Sequence, residues 1–291
     1  MAAVVVVHGM FNFLRGATPP EAARRRAESW RRRLAGSLAV VSPGTPVPDL
    51  EVAYYADLLR RELPEDAQAA EEMPDFDDLD ERETAEVGEW LSAAGVTVPE
   101  DAMNVGLAPV KWMLDQLLRE RVSRGARWLR DQTSERVQQA VVANLREVEA
   151  YSTWPDRRRL VRERIADTLR EAAPDVVIAH SLGTYTTYET LHANPDIEVG
   201  LLLTVGSPLR VPTLLRRLDP GLRDGRGAKP AGVGRWVNIA DVGDVVAVPA
   251  PLSAVFPVDR DETCDNGLGS HGLGGYLANG LTAAAIAPYL A

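Results

Sequence analysis

A serine stands between an apolar run and a helical pattern in residues 176–191, VVIAHSLGTYTTYETL. Ser181 has Ala179 two positions before it and Gly183 two positions after it. Small residues at these positions are needed in a nucleophile elbow, a sharp strand-to-helix turn that presents a serine hydroxyl at the edge of a sheet. The alternative is that Ser181 simply caps the helix. The strand–turn–helix context favours the nucleophile.

A serine hydroxyl becomes an effective nucleophile when a neighbouring base accepts its proton, and histidine is the commonest base. The chain has four histidines. His8 ends the first apolar run, and His192 lies near the end of a helix. His180 lies within the turn, where we expect its side chain to point away from Ser181. His271, flanked by glycines in NGLGSHGLGGYL, is therefore the predicted base.

A carboxylate is needed to orient that histidine. The segment WVNIADVGDVVAVP offers Asp241 and Asp244 just beyond the fifth apolar run. We favour Asp244, because the apolar residues after it can bury its carboxylate, whereas Asp241 is expected to cap the turn at the end of the strand. Ser181, Asp244 and His271 then follow one another in the order Ser, Asp, His, one of the known chain orders for such a set.

Two backbone N–H groups must face the charge that develops on the attacked carbonyl oxygen. Leu182, directly after Ser181, is predicted to supply one of them. The loop VVVVHGMFNF is predicted to supply the other, because Gly9 permits a close backbone approach and the amide of Met10 follows it. A plain turn at the end of a strand is the alternative for this loop.

These residues meet only if a parallel sheet brings them to one edge, since sites of open α/β sheets lie at the carboxyl ends of the strands. Most of the apolar runs are nearly continuous, which indicates strands buried on both faces. The predicted strands are Ala3–Gly9, Leu50–Ala56, Asp175–Ser181, Val199–Ser207 and Arg235–Asp241.

Helical patterns lie between these runs, and alternating strands and helices predict an α/β, doubly wound parallel sheet. The helix directly after Ser181 is expected to be amphipathic. The predicted helices are Pro20–Leu38, Asp156–Ala172, Leu182–Ala193 and Gly272–Leu290.

About 90 residues between Asp57 and Tyr151 contain no convincing strand, too many for a loop. We predict a helical cap over residues 58–151, inserted into a core of residues 1–57 and 152–291. Its helical patterns cover Ala85–Ala94, Val110–Arg130 and Ser134–Ala150. Its apolar side chains either line an acyl pocket or form the cap's own core; they include Trp112, Met113, Leu117 and Trp128.

In chain order, VVVVHGM, VVIAHSLG, LLLTVGSPLRVP, WVNIADVGDVVAVP and GSHGLGGYL resemble motifs of the α/β-hydrolase superfamily, in particular of lipase-like serine esterases. TVGSPL followed by NIADVGDVVAVP resembles the stretch before the catalytic aspartate of triacylglycerol lipases, which favours Asp244. The resemblance covers roughly residues 1–57 and 155–291. It implies an α/β-hydrolase fold with a mostly parallel sheet that lacks the outer N-terminal strands.

The same resemblance implies that Ser181, Asp244 and His271 hydrolyse a carboxylic ester or thioester through an acyl-serine, with Met10 and Leu182 holding the oxyanion. The expected partner is a small acyl substrate. An amidase or peptidase on the same residues is an alternative, since the triad does not separate esters from amides. A binding protein that uses the cap as a protein-partner surface is another, because function does not follow from fold.

Composition excludes several other classes. The net charge of −10 argues against binding to nucleic acid, and the single cysteine, Cys264, excludes an internal disulfide and a multi-cysteine zinc site. The acidic run Asp75–Glu81 lacks the glycine and ligand spacing of a Ca²⁺ loop. We therefore expect no cofactor and no metal.

No apolar run approaches the roughly 20 residues of a membrane span, and the N-terminal run MAAVVVVHGM lacks the basic region of a signal peptide. The expected location is the cytoplasm. The basic run Arg24–Arg33 would suit a phosphatidyl substrate, but it fits a solvated helix face better.

Overall fold

The computed structural model describes residues 4–10, 12–59, 79–93, 95, 113, 142, 145–248, 250–267 and 271–290. Six strands in these ranges form one parallel sheet in the order β2-β1-β3-β4-β5-β6. They are β1 (Val4–Val7), β2 (Leu50–Ala53), β3 (Val176–His180), β4 (Val199–Val205), β5 (Val233–Asp241) and β6 (Arg260–Cys264). The five predicted strands are confirmed. The sequence does not reveal β6, because RDETC is a largely polar edge strand with no apolar run.

Helices connect these strands and cover both faces of the sheet. They are α1 (Pro19–Val41), α2 (Glu81–Ala93), α3 (Pro155–Ala172), α4 (Leu182–Ala193), α5 (Pro212–Leu215), α6 (Leu273–Ala278) and α7 (Gly280–Ile286). Short 3-10 helices occupy Ala56–Leu59, Leu252–Ala254 and Ala287–Tyr289. The helix predicted over Gly272–Leu290 is divided at Asn279, because its side chain accepts a hydrogen bond from the Leu281 N–H and begins a new helix.

Each face of the sheet has its own hydrophobic core. Val5, Val7 and Val177 pack in one core with α3 and α4, whereas Val4 and Val6 pack in the other with α1, α6 and α7. Successive residues of a strand point to opposite faces, so a strand between two cores must be apolar at every position. This explains the continuous runs, and it confirms an α/β architecture with a parallel sheet covered on both sides.

The expectation that α4 is amphipathic is wrong. Residues 182–191 are all buried, including four threonines and Glu189. The sheet lies on one side of α4 and α3 on another, and Arg158 and Arg162 from α3 form ion pairs with Glu189. A helix enclosed in this way has no solvated stripe.

The described part of the predicted cap contains α2, as expected, and helical residues 145–151. The Trp90 indole N–H donates to the Val245 carbonyl at 3.1 Å, which attaches α2 to the loop after β5. Met113 is buried. Most of the two remaining cap patterns lies outside the described residues, as do Trp112, Leu117 and Trp128. The domain boundaries stay a prediction.

Among the described helices, none combines the length and the apolar character that crossing a membrane requires.

The strand order places a crevice beside β1. The chain goes from β1 to β2 on one side, then returns to β3 on the other side of β1. Neighbouring connections leave such a position in opposite directions, and ligands of open α/β sheets bind at the carboxyl ends there. The loop with Gly9 follows β1, and Ser181 follows β3, so both lie at this crevice.

Candidate active site

The backbone of Ser181 is strained in the way a nucleophile elbow requires. Its φ of 53° and ψ of −129° lie in a region that non-glycine residues rarely adopt, at a cost of about 1–3 kcal/mol. The turn is tight: a Cβ added to Gly183 would lie 2.4 Å from the Val7 carbonyl oxygen and 2.5 Å from that of His8. The Ser181 side chain makes no capping bond to α4, so the capping interpretation is wrong.

Ser181, His271 and Asp244 form one hydrogen-bonded chain. His271 Nε2 lies 3.0 Å from Ser181 Oγ, and His271 Nδ1 lies 2.9 Å from both carboxylate oxygens of Asp244. An ionised carboxylate only accepts hydrogen bonds, so the proton is on Nδ1 and Nε2 accepts from the serine hydroxyl. Ser181 and Asp244 are fully buried, while the His271 side chain is 20% exposed.

Asp244 keeps its negative charge through His271 and through neutral hydrogen-bond donors. Its Oδ1 accepts from the N–H groups of Val246 (2.9 Å) and Ala247 (3.3 Å), and its Oδ2 accepts from the Tyr276 hydroxyl (2.7 Å). Burial raises the pKa of Asp244, but the His271 imidazole and these hydrogen bonds outweigh burial and hold that pKa below its usual value. In the described part of the chain no lysine or arginine pairs with it.

Asp241 has the structural role expected of it. Its carboxylate accepts the N–H of Gly243 at 2.6 Å and also the N–H of Asn266, which joins the end of β5 to the loop after β6. Burial raises the pKa of Asp241. His271 contacts Asp244 instead, so the structure separates the two candidate acids.

Two residues that hold Asp244 are not evident from the sequence. Tyr276 of α6 donates to Asp244 and accepts from the Asp241 N–H at 3.0 Å. Gly206 follows β4 at a φ of 59°, and a Cβ there would lie 2.9 Å from Asp244 Oδ2. The sequence signals are faint: an aromatic residue in GLGGYL and a glycine in TVGSPL.

The loop after β1 closes against Ser181. A Cβ added to Gly9 would lie only 2.4 Å from Ser181 Cβ, so this approach needs glycine. Asn12 Nδ2 donates to the carbonyls of Gly9 (2.9 Å) and Met10 (2.7 Å), and Tyr55 donates to the His8 carbonyl (2.6 Å). These bonds fix the loop that contains the Met10 amide.

The two predicted oxyanion donors are unpaired within the described residues. Neither the Met10 N–H nor the Leu182 N–H donates to a protein acceptor there. Leu182 begins α4, and the N–H groups of a first helical turn have no partner inside their own helix. The positive end of the helix dipole adds to their attraction for an anion.

The remaining histidines contact neither the serine hydroxyl nor Asp244. His8 is buried between the loop after β1 and Tyr55, and burial lowers its pKa to about 4. His192 lies beside Tyr188 and bonds the Ala228 carbonyl at 3.2 Å. The His180 side chain contacts His271 rather than the serine hydroxyl, since its Nε2 is 2.7 Å from the His271 carbonyl oxygen.

Within the described ranges there is no cluster of three or more histidine, cysteine, aspartate or glutamate residues suited to a metal ion. No protein-family model, curated protein or solved structure matches the chain. The geometry of the site is thus the basis for any functional conclusion.

Proposed function

We propose that this chain is a serine hydrolase of the α/β-hydrolase fold that cleaves a carboxylic ester or thioester through an acyl-serine intermediate. The observation that carries the proposal is the bonded chain Ser181–His271–Asp244 with its serine in a strained elbow. In α/β-hydrolases the second oxyanion donor comes from the loop after the third strand. Here the loop after β1 takes the place of that loop, since it closes against Ser181.

In the acylation step, Ser181 Oγ attacks the acyl carbonyl carbon while its proton passes to His271 Nε2. The carbonyl electrons move to oxygen, and the N–H groups of Met10 and Leu182 stabilise this oxyanion. When the tetrahedral intermediate collapses, the bond to the leaving alcohol or thiol breaks. His271 returns the proton to that leaving group, and the acyl group stays on Ser181.

In the deacylation step, a water molecule takes the place of the leaving group. His271 Nε2 accepts a proton from the water as its oxygen attacks the acyl carbon, and the oxyanion forms again at the same two amides. Collapse breaks the bond to Ser181 Oγ, and His271 returns the proton to that oxygen. The carboxylic acid leaves, and the serine hydroxyl is restored.

Asp244 stabilises the positive charge that appears on His271 in both steps. Its carboxylate stays ionised because its pKa is depressed, and its two contacts to Nδ1 hold the imidazole with Nε2 towards the serine. Charge stabilisation of this kind is strong in a site that excludes water. The fully buried Ser181 also means that a substrate must displace the groups that cover the hydroxyl.

A protein that only binds a partner has no use for these features. Ser181 is held in a strained conformation. A side chain at Gly9 would collide with Ser181, and one at Gly183 would collide with the carbonyls at the end of β1. Strain of about 1–3 kcal/mol persists only where the surrounding structure enforces it, and it concentrates at functional sites. The features therefore favour an enzyme over a scaffold.

A fluorophosphonate probe tests the proposal, because it modifies only a serine that a neighbouring base activates. We expect one probe per wild-type chain, no labelling of Ser181→Ala, and full labelling of Ser253→Ala, a matched change at an exposed serine. Absence of labelling of the folded wild type, or equal labelling of Ser181→Ala, contradicts the proposal. p-Nitrophenyl esters from acetate to palmitate, compared with a p-nitroanilide, then define acyl length and separate esterase from amidase.

A further inference from the structure

His180 lies next to the nucleophile in sequence and next to the base in space. It is the last residue of β3, its side chain is almost fully buried, and its ring centroid is 5.0 Å from that of His271. Its Nε2 is 2.7 Å from the carbonyl oxygen of His271. The catalytic steps described above make no use of this imidazole.

The protonation of His180 follows from its partners. A carbonyl oxygen only accepts hydrogen bonds, so Nε2 carries the proton and donates a hydrogen bond to the carbonyl oxygen of His271. Nδ1 then has a free lone pair and finds no hydrogen-bond donor among the described residues. It faces Gly9, where a Cβ would lie 3.1 Å from it. The ring is thus held in one tautomer by a single hydrogen bond to the main chain of His271.

His180 stays neutral while His271 becomes charged. Burial, followed by the neighbouring His271, lowers the pKa of His180 to about 3. A second positive charge 5.0 Å away would oppose the imidazolium that forms on His271 during the reaction. A neutral His180 can hold the main chain of His271 by its hydrogen bond without this repulsion.

His271 needs such a hold because, among the described residues, no other hydrogen bond to its backbone is present. It is followed directly by Gly272, which only begins α6, and Asp244 fixes the imidazole but not the main chain. Rotation of the main chain would move Nε2 away from Ser181 even with the contact to Asp244 intact. A misplacement of about 1 Å can reduce a rate by about a hundredfold.

We propose that His180 is a positioning residue, whose Nε2–H bond to the His271 carbonyl holds the general base at its distance from Ser181. This inference rests on the proposed hydrolase function. It adds a further side chain to the site, one that acts through His271 and does not touch the substrate.

Two substitutions of similar polarity test the position of the donor. The amide nitrogen of glutamine extends about as far as Nε2, so His180→Gln can still donate to His271. The amide nitrogen of asparagine extends only as far as Nδ1, so His180→Asn cannot. We expect kcat for a p-nitrophenyl ester to fall by about 10- to 100-fold in His180→Asn. His180→Gln should stay within about threefold of the wild type, KM should change little in either, and thermal melting should show similar stability losses.

A structural role alone would lower activity in proportion to the folded fraction, and it would affect both variants alike. Equal kcat values for the folded Asn and Gln variants therefore overturn the inference while leaving the hydrolase proposal intact. A wild type that the fluorophosphonate does not label overturns both.

A measurement on the wild type covers the case in which His180→Asn does not fold. NMR of ¹⁵N-histidine-labelled protein reports which ring nitrogen carries the proton. Between pH 6 and 8 we expect His180 to stay neutral with its proton on Nε2. A proton on Nδ1, or a titration of His180 within this range, overturns the inference.

Discussion

Two buried carboxylates, Asp244 and Glu189, have opposite kinds of partner. Asp244 is surrounded by neutral groups: an imidazole, a tyrosine hydroxyl and backbone N–H groups. Glu189, in the middle of α4, forms ion pairs with Arg158 and Arg162 of α3. It also accepts the Tyr151 hydroxyl at 2.6 Å and the Asp219 N–H at 2.9 Å.

The difference indicates that the charge of Glu189 stabilises the fold, whereas the charge of Asp244 remains available for the proposed chemistry. The two guanidinium groups compensate Glu189 permanently, and their bonds join α3 to α4, the helix that follows Ser181. Dipoles stabilise Asp244 without cancelling its charge, so the charge can act on His271 when a proton arrives there. Substitutions at the two residues should accordingly affect different quantities.

The largest effect is expected for Asp244→Asn, which removes the charge but keeps the shape. The amide can donate to Nδ1 and favour the wrong tautomer of His271, so kcat should fall by about 10⁴-fold. Ester hydrolysis measures the loss, and urea unfolding should show a much smaller change than that for Glu189. A variant that keeps more than a tenth of the wild-type kcat would show that Asp244 is not the acid.

Glu189→Gln should have the opposite effect: a large loss of stability and little change in kcat. Breaking a buried ion pair leaves an uncompensated charge and typically costs about 3–5 kcal/mol of unfolding free energy. The folded fraction should keep a kcat within a few-fold of the wild type, because no catalytic group contacts Glu189. Glu163→Gln is the matched control, since its pair with Arg159 is about half exposed and such pairs contribute below about 1 kcal/mol. Equal stability of the two variants would contradict the comparison.

Two buried histidines near the site, His8 and His180, should make the stability of the fold sensitive to acid. His8 and His180 are buried neutral, with pKa values lowered by burial to about 4 and about 3 from the ordinary 6.5. Between these lowered pKa values and 6.5, the unfolded chain binds more protons than the folded protein does. The free energy of unfolding therefore falls as the pH falls. Each histidine should cost on the order of 2 kcal/mol between pH 7 and pH 5.

Denaturant unfolding at pH 7, 6 and 5 measures this slope. The depressed pKa of Asp244 contributes stability at and above its ordinary value of 3.8 and is lost only at lower pH, so it leaves this range unaffected. His180→Gln should reduce the slope by about half. An unchanged slope in that variant would show that His180 is not buried neutral.

Much of the framework follows from local patterns. Strands between two cores must be continuously apolar, so five of the six described strands are evident from the sequence. The elbow is visible because Ala179 and Gly183 flank Ser181, and no side chain fits at Gly183. His271 is found by elimination, because the chain contains so few histidines.

The contacts that the sequence does not reveal join polar residues far apart along the chain. Tyr276 meets Asp244, and His180 meets the backbone of His271, only because β3, β5 and α6 converge. Glu189 looks like the polar side of a surface helix until α3 covers it. No local pattern encodes such pairs, since each depends on packing between elements.

The smallest of these effects is expected for Tyr276→Phe, which makes the surroundings of Asp244 less polar. Burial and the Asp244 carboxylate raise the pKa of Tyr276, so its hydroxyl stays protonated and always donates. Its loss leaves Oδ2 of Asp244 and the Asp241 N–H each without one partner, at about 1–3 kcal/mol of stability. We expect kcat to fall about tenfold, since the other donors to Asp244 remain.

Tyr289→Phe is the control for Tyr276→Phe, because it removes a hydroxyl outside the site. The carboxyl titration of Asp244 provides the sharper readout: loss of a donor raises the pKa of Asp244, so ¹³C NMR should show this carboxylate taking up its proton at higher pH than in the wild type. If kcat falls while the titration of Asp244 stays in place, Tyr276 holds Asp244 only by packing. The neutral dipoles would then not be what keeps the carboxylate charged, and the contrast with Glu189 would lose its physical basis.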